Sequence, residues 1–153
     1  MEATVISNIL AMVGLGLMLG LGAAGAGVGF FITCSTAIGV IRKKPEAFGT
    51  VLVLGAVPSS QGLYAFVAFI MYYAAASSVT TVMGGAIVLG MGIAVGVACI
   101  VTCIYQAKIC ASGISAIGDG HNVLGNTLIL AAFPEFFAIL SLVGSILMLG
   151  FVK

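Results

Sequence analysis

The sequence predicts an all-α membrane protein of four transmembrane helices, organised as two duplicated helical hairpins. Three observations predict it: a strongly apolar composition, uncharged runs too long for anything but membrane spans, and local motifs that occur twice. Of 153 residues, 62% are hydrophobic and 6% charged, and the mean hydropathy is +1.34. A water-soluble domain of this size would aggregate with so much apolar surface, so lipid is the expected solvent.

The charged side chains are Glu2, Arg42, Lys43, Lys44, Glu46, Lys108, Asp119, Glu135 and Lys153. Residues 3–41 carry none, which defines a first span over 7–41. Residues 47–107 also carry none, about twice what one span of roughly 20 residues needs, so they hold two spans and a turn. The turn falls at residues 76–81, where small and hydroxyl residues replace the long aliphatics, with Tyr72 and Tyr73 before it as expected interface anchors. This gives a second span over 48–75, a third over 81–117 and a fourth over 123–151. The hairpins are then 1–76 and 77–153. The first and third spans exceed the hydrocarbon thickness and should project into headgroups or water.

The opening Met-Glu-Ala-Thr has no basic segment, and the apolar run after it is too long for a secretory signal, so the first span should be retained. Arg42-Lys43-Lys44 against an uncharged second turn places the first and third loops in the cytoplasm and both termini outside. A net charge of +1 gives no case for nucleic acid as a partner. Cys34, Cys99, Cys103 and Cys110 lie within apolar spans and read as packing thiols, with no histidine or carboxylate at ligand spacing.

Thr36-Ala37-Ile38-Gly39 matches Ser115-Ala116-Ile117-Gly118, and Gly49 through Pro58 matches Gly125 through Pro134. The chain is therefore expected to be a parallel internal duplication, offset by 79 residues before the loop and 76 after it, which makes the first loop three residues longer. Ser59 then stands where the second hairpin has Glu135, leaving one carboxylate for four helices. In the first span, Gly20-Leu21-Gly22-Ala23-Ala24-Gly25 satisfies a dinucleotide fingerprint in letters only, because no strand precedes it and no helix starts there. At helical spacing Gly16, Gly20, Ala24 and Gly27 form a small-residue stripe, with Gly22, Ala26 and Gly29 beside it. Such stripes admit close backbone approach, here on more than one side, as on the inner wall of a tight ring.

Glu135 lies about ten residues past the third loop, roughly 15 Å deep at 1.5 Å per residue. A carboxylate at that depth costs about 2.5–3.5 kcal/mol on insertion scales, and it needs a proton, a cation or a set of donors. Gln61 and Gln106 reach the same level from the second and third spans. Ser60 adjoins Gln61, and Tyr64 lies one turn further along. Pro58 and Pro134 each lack an N–H, which should free the carbonyls of Leu54 and Leu130 and bend both helices. Hard monovalent cations take several oxygen ligands, whereas a proton needs only the carboxylate. The amides and hydroxyl at this depth favour Na⁺ over H⁺.

With Pro58-Ser59-Ser60-Gln61-Gly62-Leu63-Tyr64, Tyr105-Gln106-Ala107-Lys108 and Glu135, the chain resembles the proteolipid K subunits (c-type ring subunits) of bacterial and archaeal V/A-type rotary ATPases, most closely their sodium-translocating branch. The resemblance covers essentially the whole chain. It implies a rotor ring of identical copies turning against a static membrane subunit that bears an arginine, with central-stalk subunits linking the ring to ATP hydrolysis or synthesis elsewhere. It also implies Na⁺ ligation by Glu135, Gln61, Gln106, Ser60 and the backbone carbonyl of Val57, with Tyr64 holding the carboxylate. Serine at position 60, where threonine is common, and Pro134 beside the acid are departures from the pattern. No nucleotide-binding motif is present, so no catalysis is expected in this chain. The competing reading is a small cation-coupled secondary transporter or multidrug exporter using one intramembrane glutamate. A high-order ring in mild detergent separates the first reading from the second.

Overall fold

The computed structural model describes residues 2–76 and 78–152. Ser77, inside the predicted turn, lies outside the described residues. Five helices follow in order: α1 (Glu2–Ile41), α2 (Phe48–Ala56), α3 (Ser60–Ala76), α4 (Val82–Gly118) and α5 (Leu124–Leu149). A 3-10 turn at Pro45–Ala47 leads into α2, and another at Val57–Ser59 joins α2 to α3 as one bent span. Four segments are long and apolar enough to cross a membrane, and no strand occurs among the described residues. At 1.5 Å per residue, the 40-residue α1 is roughly 60 Å long and well exceeds the hydrocarbon layer.

Proline acts differently in the two hairpins. Pro58 sits in the 3-10 turn, where its missing N–H breaks the helical ladder. Pro134 lies inside an uninterrupted α5, so a 3-10 turn breaks the span only in the first hairpin. At the end of α4, Gly120 takes φ +99°, while the N–H groups of Gly120 and His121 reach back to the carbonyls of Ile117 and Ala116, both at 3.0 Å. This double closure needs a residue free to adopt a left-handed conformation, and glycine supplies it. At its other end, the Thr81 side chain caps α4 by accepting from the Gly84 N–H at 3.1 Å.

Parallel α1 and α4 pack almost backbone to backbone. A Cβ added at Gly14 would stand 2.6 Å from the Leu89 Cα, one at Gly25 2.6 Å from the Ile100 Cα, and one at Gly92 would meet the Gly14 carbonyl. The predicted stripe is thus displaced by a face. Gly14, Gly22, Gly25 and Gly29 make the close contacts, while Gly16, Gly20 and Gly27 have open space at their Cβ positions. The flanking residues Gly22 and Gly29 do pack, against Ala65 and against Cys103 and Pro58.

Two apolar clusters fill the bundle: Leu15, Met18, Val88, Val95, Tyr72 and Ala138 toward the chain termini, and Val40, Val51, Leu54, Cys110, Ile114 and Ala131 toward the first and third loops. Tyr72 is buried and donates to the Ser145 carbonyl at 2.7 Å, so it joins helices within the bundle and does not anchor an interface. Tyr73 is exposed. Loop one, residues 42–47, is one residue longer than loop three, residues 119–123, not three longer as the 79-residue offset requires.

Candidate functional site

Between the two apolar clusters lies the polar group that residue depth predicts. Gln61, at the start of α3, and Gln106, in the middle of α4, are fully buried, whereas Glu135 of α5 and Tyr64 of α3 are half-buried. The bend at Pro58 ends α2 and starts a new helix at Ser60, which sets the direction of Ser60, Gln61 and Tyr64.

Both carboxylate oxygens of Glu135 are held. The Tyr64 hydroxyl donates to Oε1 at 2.6 Å, and Gln106 Nε2 donates to Oε2 at 3.2 Å. Gln106 Nε2 also donates to the Ala131 carbonyl at 2.9 Å, one turn before Glu135, and this bond ties α4 to α5 beside Pro134. Gln61 Nε2 donates to Gln106 Oε1 at 2.8 Å. The Ser60 hydroxyl lies 3.3 Å from Gln61 Oε1 and 3.2 Å from the Val57 carbonyl. One chain of contacts therefore runs from Val57 through Ser60, Gln61 and Gln106 to Glu135, closed by Tyr64. All six residues that the sequence nominates come together, from three helices and one turn.

Two participants escape sequence reasoning. Cys103 Sγ donates to the Pro58 carbonyl at 2.9 Å, and Thr33 of α1 donates to the Gly55 carbonyl at 3.0 Å. Both brace the backbone around the bend that aims Ser60 and Gln61. A cysteine one turn before Gln106 is the signal available for the first; a lone threonine in an apolar helix gives none for the second. Ser59, the counterpart of Glu135, turns its hydroxyl to the Ala56 carbonyl 2.7 Å away and takes no part.

Every one of these groups carries an oxygen, although both glutamines present Nε2 in the hydrogen bonds above. Among the described residues no three of His, Cys, Asp or Glu converge, and no buried side-chain nitrogen or oxygen lacks a partner. One carboxylate, two amides, a hydroxyl and a carbonyl suit a hard cation better than a soft one. The family profile for the C subunit of ATP synthase matches residues 13–72 and again 89–148.

The chain belongs to the family of ATP synthase C subunits.

Two relatives accompany that match. The A-type ATP synthase subunit K of Methanocaldococcus jannaschii is 32% identical over 141 residues, 92% of this chain. The V-type sodium ATPase subunit K of Enterococcus hirae is 32% identical over 124 residues, 81% of this chain. The chain spans 62% of the length of the first and 80% of the second. The two segments that match the family are of equal length and stand 76 residues apart, the interval that also relates the start of α2 to that of α5. The bounds of both segments thus fit one 76-residue interval, the offset that relates residues 49–58 to 125–134.

Proposed function

We propose that this chain is the membrane rotor-ring subunit of a V/A-type rotary ATPase and carries Na⁺ on Glu135. The observation that carries the proposal is the contact chain from Val57 to Glu135, in which oxygen-bearing groups from three helices and one turn gather at one intramembrane carboxylate. Na⁺ is the cargo. Glu135 supplies the charge, while Gln61, Gln106, Ser60 and the Val57 carbonyl supply neutral oxygens, with the amides turned oxygen-first. Tyr64, donating to Oε1, keeps the carboxylate aimed inward.

The charge logic follows from solvation. A bare carboxylate is costly in hydrocarbon, whereas one paired with Na⁺ is neutral and travels past lipid. Glu135 is half-buried on the lateral surface of α5, so its ion has a way in and out without unfolding the bundle. On a static membrane subunit, an arginine competes for the carboxylate and ejects the ion as each copy passes. Nucleotide chemistry lies in partner subunits, reached through the central stalk. The loop end of the bundle, with Arg42, Lys43 and Asp119 around a crevice of about 570 Å³, is the face that would meet the stalk. Loops one and three are then cytoplasmic and both termini outside, and residues 1–76 and 77–153 are the two hairpins.

Carbodiimide labelling tests the ion. The reagent attacks the protonated acid, so bound Na⁺ should protect Glu135, and protection should increase with pH as protons compete less. Absence of protection by millimolar Na⁺ anywhere between about pH 6 and 9 would assign H⁺ as the cargo.

A further inference from the structure

The Glu135 site uses α3, α4 and α5 of one chain and leaves two flanks of the bundle without a partner in it. On α1, Gly16, Gly20 and Gly27 have nothing at their Cβ positions, and Phe31 beside them is 73% exposed. Between α4 and α5 runs an apolar groove of about 670 Å³ lined by Val101, Tyr105, Leu130, Phe133, Pro134 and Phe137.

The 76-residue interval relates both flanks to contacts already made inside the chain. Moved back by one interval, those six groove residues are Gly25, Gly29, Leu54, Val57, Pro58 and Gln61. Those six form the seat into which α4 packs. Gly25 meets Ile100, Gly29 and Pro58 meet Cys103, Leu54 and Val57 cluster with Cys110, and Gln61 bonds Gln106. The same shift turns the residues that fill the seat, Cys103, Gln106, Ala107 and Cys110, into Gly27, Phe30, Phe31 and Cys34. These lie along the bare flank of α1.

We infer that the two flanks are the halves of a second α1–α4 joint, made between neighbouring copies in the register of the internal one, with Phe30 and Phe31 of one copy filling the α4–α5 groove of the next. Side-chain sizes support this register. Inside the chain Leu21 lies on Gly96, and between copies Val97 lies on Gly20. Inside, Gly29 faces Cys103; between copies the large Tyr105 faces Gly27. Inside, Gly14 meets Gly92, and between copies Gly90, also bare, meets Gly16.

The chemistry of the second joint differs from that of the first. Gln61 is replaced by Phe137, Gln106 by Phe30 and Glu135 by Ser59, so no carboxylate or amide ligand remains. Each copy thus alternates one cation-bearing joint with one dry apolar seal. The halves are dissimilar and lie on different flanks, so copies join head to tail, which closes into a ring when the rotation per copy permits. This rests on the ring reading above and adds its register.

The test uses the full-length protein in mild detergent under reducing conditions, read by native mass. Gly27→Cys meets nothing within its own chain, so it should keep wild-type helicity and lose the ring, because the thiol meets Tyr105 of the neighbour. Gly27→Cys with Tyr105→Gly recreates between copies the Gly29–Cys103 pairing found inside, and should restore the ring. Gly20→Leu, against Val97, should lose the ring in the same way. Rings as stable as wild type in Gly27→Cys and Gly20→Leu, or a double variant no better than the single, overturn the register and leave the ring reading standing. A wild-type protein that forms no ring overturns both.

Discussion

At the scale of single residues, the Glu135 carboxylate spends its two oxygens on two different kinds of donor. Toward a carboxylate Tyr64 can only donate, and it holds Oε1, whereas Gln106 donates Nε2 to Oε2 and also carries an amide oxygen that a cation, but not the carboxylate itself, could use. On the function proposed above, exchange of the ion would pivot on Gln106. Glu135→Gln should abolish coupled transport while leaving an assembled ring, since a neutral amide is cheaper than a carboxylate in the membrane but carries no exchangeable cation. Flux in reconstituted vesicles beside native mass checks this; retained Na⁺ flux would remove Glu135 from the mechanism. Gln106→Ala should weaken Na⁺ binding about tenfold or more, at about 1.4 kcal/mol per factor of ten, with proton uptake by the carboxylate retained. Sodium titration of carbodiimide protection measures it, and unchanged affinity would exclude the amide as a ligand. The polar residues of this cluster were legible in the sequence because polarity at mid-span depth is costly and three helices carried it to one level, whereas Val57 came only with the family resemblance. Cys103 and Thr33 were not, since a thiol or hydroxyl in an apolar helix more often bonds its own preceding turn, and only the fold brings the carbonyls of Pro58 and Gly55 within reach.

At the scale of elements, the second span is where local and tertiary preferences meet. Pro58 removes one ladder bond, and Thr33 and Cys103, from α1 and α4, supply outside donors to neighbouring carbonyls. Thr33→Val keeps the shape and removes one donor, leaving the buried Gly55 carbonyl short by a bond. A loss of about 1–3 kcal/mol is expected, read as a lower thermal midpoint in detergent together with weaker Na⁺ protection, because the bend also aims Gln61. An unchanged midpoint would show that Gly55 needs no help from α1. Hydropathy located every span to within a few residues, but it gave no warning that Pro134 would leave α5 intact where Pro58 broke its helix. The glycine pattern announced close approach without naming the face, because a 3.6-residue periodicity cannot distinguish a flank closed within the chain from one left bare. Gly92→Leu therefore belongs with the packed class: it should prevent folding of the monomer, whereas the bare Gly16 should tolerate leucine until copies meet. Circular dichroism of the two variants separates the classes.

At the scale of the whole molecule, two core clusters with a polar layer between them divide the bundle into a terminal end and a loop end. In the proposed topology the basic residues of the first loop orient that axis across the membrane. A cysteine at Lys44 should react with impermeant maleimide only after cells are opened, and labelling from outside intact cells would invert the topology. One substitution already described sets how such a rotor would be geared. Ser59 stands where the repeat has Glu135, so four helices share a single intramembrane carboxylate, and if that carboxylate is the carrier, a ring of a given number of helices would move half as many ions per turn as one with an acid in every hairpin. If the free energy delivered per revolution is fixed by the nucleotide machinery, each ion receives twice the share. Since 100 mV opposes one charge with about 2.3 kcal/mol, doubling that share doubles the opposing potential at which flow stalls. Losing a carboxylate from the first hairpin is in this sense a change of transmission: fewer ions per turn, each driven against a steeper gradient.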